Sequence, residues 1–164
     1  MTDATAGVSG APSGGALRVD FYVIEESAPS ARLRLACRLV EKAHQAGQAV
    51  VVWHTDEDEL ATFDELHWTF ADGSFVPHDF LVEGEPPPDT PVVLSAGVVP
   101  SGRVPVLINL APDLPGCLDR ADRVIEIIDG EPARRQAGRA RFRAYRDRGL
   151  EPATHNVKAG GALG

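Results

Sequence analysis

The sequence predicts a single α/β domain, a mainly parallel sheet of about five strands with helices on both faces. Three observations predict it. β-Branched apolar runs alternate along the chain with segments of helical period, the order of βαβ units. The run at residues 48–54 (QAVVVWH) is continuously apolar, as suits a strand covered on both faces. And 164 residues, 43% of them hydrophobic, are the size of one domain and can bury a sizeable core.

Each element follows from local chemistry. Residues 1–16 are Gly, Ala, Ser and Thr without an aromatic, and read as a disordered tail. Residues 17–25 (LRVDFYVIE) make a strand. A turn with Pro29 leads into a helix over 31–46, with Leu35, Ala36, Leu39, Val40 and Ala43 on one face and Gly47 ending it. After the strand at 48–54, Thr55 is placed to cap a helix that opens with four acids, Asp56 to Glu59, and runs to Trp68. A loop follows, with Pro86, Pro87 and Pro88 near its end, which no central strand accepts. Strands are expected at 92–94, 104–110 and 121–128; Pro105 suits an edge or a strand start. The last helix covers 131–148, with Pro132 in its first turn and Gly149 at its end. Residues 151–164 are polar and Gly-rich and are expected to be a flexible tail, leaving 17–150 as the domain.

Composition removes several function classes. No apolar run approaches the ~20 residues of a membrane helix, and no signal-peptide layout opens the chain. Cys37 and Cys117 have neither metal nor redox spacing. A cytoplasmic protein without metal or cofactor is the expectation. The net charge of −8 disfavours a surface that grips nucleic acid throughout. Its distribution is polarised. No Lys or Arg occurs from residue 43 to 102, whereas seven of the sixteen basic residues fall between Arg134 and Arg148.

Familiar catalytic signatures are missing. The first strand–helix turn has no glycine, so neither GxGxxG nor GxxxxGK[ST] is present. No GxSxG elbow exists. His54 with Asp56, or His78 with Asp79, could begin an acid–base site; the plainer readings, a loop histidine beside a helix cap and a turn after Pro77, are favoured. Cys117 has no marked base beside it. An α/β enzyme acting on a nucleotide or phosphoester through His54, Asp56 and His78 is the competing reading.

The last helix carries the strongest signal. At ~100° per residue, Arg135, Arg139, Phe142 and Arg146 form one narrow stripe. Ala133, Ala137, Ala140 and Ala144 gather on the opposite side, expected to press on the sheet. The stripe is either a solvated basic face with Phe142 under arginine stems or a docking site for an acidic, partly apolar ligand, since arginine forks pair with carboxylates. Single-stranded nucleic acid is another ligand for an Arg–aromatic surface.

Four segments taken together, VDFYVIE at 19–25, GQAVVVW at 47–53, ELHWTFADGSFVPH at 65–78 and RARFRAYRDRGL at 139–150, resemble the chi subunit of the bacterial DNA polymerase III holoenzyme in order and spacing. The resemblance implies a fold like that of nucleotide-binding proteins without the phosphate loop, and a non-catalytic accessory subunit. It implies binding of the acidic C-terminal tail of single-stranded-DNA-binding protein, and of the psi subunit of the clamp loader where one exists; the acidic charge and the lack of a long apolar run add the expectation of little or no direct nucleic-acid binding and no membrane. Carried over residue by residue, it implies a tail-binding site of Arg135, Arg139, Phe142, Trp68, Phe75 and Ile128. Phe142 stands where some members carry tyrosine. The N-terminal extension, the Pro-rich loop and the Gly-rich C-terminus depart from the family pattern.

Overall fold

In a computed structural model, residues 17–69 and 76–158 are described. The expected N-terminal tail, Phe75 and the end of the C-terminal tail lie outside them. The order is β1 (Arg18–Val23), α1 (Pro29–Gln45), β2 (Val50–His54), α2 (Glu57–Thr69), β3 (His78–Phe80), β4 (Val92–Ala96), β5 (Val104–Asn109), a 3-10 turn (Leu118–Arg120), β6 (Ala121–Ile128), α3 (Pro132–Asp147) and β7 (Ala153–Asn156).

The strands pair as one seven-stranded sheet, β3-β4-β2-β5-β6-β1-β7, with every pair parallel. Two strands are additions to the expected set. β3 is three residues within the loop before the proline run. β7 is formed by residues expected to be tail, in register with β1 from Asp20↔Ala153 to Val23↔Asn156. Each is short and at a sheet edge, so neither carries the apolar run that marks a buried strand. β5 is central, between β2 and β6. Pro105 is tolerated there because β2 begins to pair one residue later, at Val50↔Val106.

The winding explains the layers. α1 and α2 carry the chain one way along the sheet, from β1 to β2 and from β2 to β3. α3 carries it the other way, from β6 to β7, beside β1. One handedness of crossover therefore puts α3 on the opposite face. Alternate side chains divide accordingly. Val50, Val52, Ile125 and Ile127 join the core under α1 and α2 with Leu60 and Phe63. Val19, Phe21, Val51, Trp53, Val124 and Ile128 join the core under α3 with Tyr145.

Caps follow the local sequence. Gly47, at φ 76°, ends α1 and sends its N–H to the His44 carbonyl, and the Gln48 N–H reaches the Ala43 carbonyl. Asp56 rather than Thr55 caps α2, its Oδ1 accepting from the N–H groups of Asp58 (2.9 Å) and Glu59 (3.3 Å).

The rotation of α3 differs from expectation. Its buried residues are Gly138, Arg141 and Tyr145, while Ala133 and Ala140 are exposed. The alanine side is one flank of the helix and the arginine stripe is the other. The reason lies in β6, where Glu126 interrupts an apolar strand and is fully buried. A buried carboxylate needs partners, and Arg141 and Tyr145 are turned inward to supply them.

Candidate functional site

The anchor of the region is the Glu126 carboxylate. It accepts from Arg141 Nε (2.9 Å), Asn109 Nδ2 (3.0 Å) and the Tyr145 hydroxyl (2.7 Å). Arg141 also donates from its terminal nitrogen to the Pro112 carbonyl at 2.7 Å. Burial pushes the Glu126 carboxyl above its ordinary value, opposed by the charge of Arg141 and the three donors. Burial, and then the Glu126 charge, push the Tyr145 phenol up, so it stays a donor. These bonds fix the roll of α3 about its axis.

With α3 so turned, its stripe flank and the sheet enclose a pocket of about 310 Å³. Phe21 and Val23 of β1, Ile128 of β6 and Thr154 of β7 form the sheet side. Arg135, Gly138, Arg139 and Phe142 form the helix side. The Phe142 ring is tilted on Phe21, with centroids 5.2 Å apart, and Phe21 meets Tyr145 edge-on at 5.9 Å. Gly138 leaves room for the end of Ile128 in the pocket, since a Cβ there would lie 2.3 Å from Ile128 Cδ1. Arg135 Nε donates to the Asp129 carbonyl at 3.2 Å. Arg139 is exposed at the rim, with no hydrogen bond or ion pair to any described residue. The result is an apolar floor with two guanidinium groups on its helix side, which suits an apolar group carrying or adjoining a carboxylate.

Four of the residues named from the sequence thus come together: Arg135, Arg139, Phe142 and Ile128. Trp68 does not join them. It stands on α2, on the opposite face and toward the other sheet edge, half exposed with its ring 4.6 Å from that of His78. Phe75 is outside the described residues. Four lining residues were missed. Phe21 and Val23 share a face with Val19 by strand period and were legible to that extent. A glycine inside a helix, Gly138, signals close approach. Nothing in the sequence marked Thr154.

The residues of the competing enzyme reading are dispersed. His78 aligns with Val92, which aligns with Val50, so His54 lies two strands across and four residues further along the sheet, roughly 16 Å away. His54 Nδ1 accepts from the N–H groups of Thr55 (2.8 Å) and Asp56 (3.0 Å), which holds the turn leading into α2. Burial, and then Arg32, hold its pKa down. His78 Nε2 is 2.8 Å from Asp64 Oδ1, whereas Asp79 bonds the Phe80 N–H. Burial pushes the Cys37 thiol up to about 12 and that of Cys117 up to about 11, which keeps both protonated. Among the described residues, no three His, Cys, Asp or Glu residues are grouped to hold a metal ion.

In doubly wound sheets a ligand crevice opens at strand C-termini where the winding reverses. Here β1 and β6 meet at such a point, and the chain closes it. Ile24 N–H bonds the Ile128 carbonyl and Gly130 N–H the Glu26 carbonyl, each at 2.8 Å. A Cβ on Gly130 would lie 2.2 Å from the Glu25 carbonyl oxygen. A cleft of about 390 Å³ remains beyond β2, β5 and β6, and its arginines are engaged. Arg134 chelates Asp129 (2.7 and 2.8 Å), Arg141 holds Glu126, and Arg32 donates to the Leu110 carbonyl at 3.2 Å near Glu59.

Fold and site define a class: a doubly wound α/β domain whose crevice is closed where β1 and β6 meet and which carries an apolar pocket on the flank of a helix. The chain belongs to the DNA polymerase III chi subunit (HolC) family, whose model matches residues 17–153. It is 41% identical over 140 residues to the DNA polymerase III subunit chi of Pseudomonas aeruginosa, covering 85% of this chain and 96% of the relative. It is 28% identical over 135 residues to the corresponding Escherichia coli subunit, covering 79% and 91%. It is thus an accessory subunit of a DNA polymerase rather than the catalytic one. Among the described residues, no helix is long and apolar enough to cross a membrane.

Proposed function

We propose that the pocket beside α3 binds the acidic C-terminal tail of single-stranded-DNA-binding protein, and that the subunit thereby links coated template to the clamp loader in the cytoplasm. One observation carries the reading: Arg135 and Arg139, the latter unpaired among the described residues, flank an apolar pocket floored by Phe21, Ile128 and Phe142. A tail of aspartates that ends in a hydrophobic residue with a free carboxylate matches both halves. The terminal side chain fills the pocket, and the carboxylates face the guanidinium groups. Membership of the chi family supports the choice of partner. A psi subunit would contact another surface, because the pocket residues are engaged by the tail.

Titration calorimetry with full-length single-stranded-DNA-binding protein, a tail-deleted form and a bare oligonucleotide tests this. Binding of the full-length partner only is expected. Equal binding of the tail-deleted form, or tight binding of the oligonucleotide, would sink it. Co-purification of clamp-loader subunits with this chain tests the second link.

A further inference from the structure

The pocket opens onto the edge of the sheet. β7 is the outermost strand beside β1 and, among the described residues, its outer side pairs with nothing. It is nonetheless held firmly on its inner side. The Val157 N–H donates to the Val23 carbonyl at 2.9 Å, His155 Nε2 lies 2.8 Å from the buried Asp20 carboxylate, and the His155 ring stacks on Tyr22 at 4.7 Å. Strand alternation then sorts the backbone groups. Val157 turns its N–H to β1, so His155 and Ala153 do likewise, while Thr154 and Asn156 present N–H and C=O outward. Thr154 also lines the pocket. The outward amide row and the pocket are therefore continuous.

Resting on the pocket reading above, we propose that a bound acidic peptide adds to the sheet as an eighth strand along the free edge of β7. Its terminal side chain enters the pocket, and its backbone bonds the outward groups of Thr154 and Asn156. An extended chain beside an edge strand gains main-chain hydrogen bonds, and pockets read alternate side chains. Exposed edges invite such pairing. The occupant is an acidic peptide because Arg135 and Arg139 stand beside its path. A strand already pinned to β1 requires little ordering on binding.

The test leaves the protein intact. A short synthetic peptide with the aspartate-rich, hydrophobic-ended sequence is compared with versions N-methylated at single backbone positions. Alternate positions should each weaken binding roughly fivefold, the effect of one lost hydrogen bond, while the positions between are silent. Amide exchange at Thr154 and Asn156 should slow on binding. If the unmodified peptide binds and responds to Arg139→Ala, yet N-methylation shows no alternation and exchange at both amides is unchanged, strand addition is wrong and the pocket reading stands. If the unmodified peptide does not bind, or ignores Arg139→Ala, both fall.

Discussion

Arg139 and Arg141 stand two residues apart on α3, and their removal should have opposite consequences. Arg141 is buried and supplies the guanidinium that faces the fully buried Glu126. Arg141→Ala leaves that carboxylate with only the neutral donors Asn109 and Tyr145. Breaking a buried pair in this way costs about 3–5 kcal/mol, a large share of a small domain's stability. Arg139 is exposed, so Arg139→Ala should change stability by less than ~0.5 kcal/mol. It should weaken tail binding by about 1.5–3 kcal/mol, the range for a hydrogen bond to a charged group. Urea unfolding measures the first quantity and calorimetry the second. A control isolates the cause: adding Glu126→Gln to Arg141→Ala removes the stranded charge and should recover at least ~1 kcal/mol. Equal stability loss for the two arginine variants, or no recovery in the double variant, would refute the idea that Glu126 sets the roll of the helix.

Three further outcomes are expected. Gly138→Ala, judged by melting temperature and peptide titration, should weaken binding with little stability change, since the new Cβ drives the end of Ile128 into the pocket while helix propensity improves. The binding deficit of Phe142→Ala should persist in high salt and that of Arg139→Ala should shrink, because only the latter reflects screened charge. Burial, and then His78, hold His67 down to about 4. Folded protein therefore binds fewer protons than unfolded protein between about pH 4 and 6.5. The contribution is complete above about pH 6.5 and is lost as pH falls toward 4, by on the order of 1–3 kcal/mol. Urea midpoints across that window should flatten in His67→Phe, and an unchanged slope would count against it.

By itself the sequence determined the repeating strand–helix order, the ends of α1 and α3, the absence of a phosphate loop and the Arg–Phe stripe. These are local: they follow from side-chain period, caps and glycine placement within a few residues. Resemblance along the chain determined the family. Tertiary structure decided what depends on partners distant in sequence. β3 and β7 are strands because a neighbour offers an edge, not because their own residues demand it. The alanines of α3 lost the inward position to Arg141 and Tyr145, because an unmet charge on Glu126 outweighs the small area an alanine buries. The same roll set Arg135, Arg139 and Phe142 above Ile128, and the winding of the sheet placed Trp68 on the far face. Helical period shows which residues share a stripe. Only the packed sheet, through one buried carboxylate, shows where the stripe points.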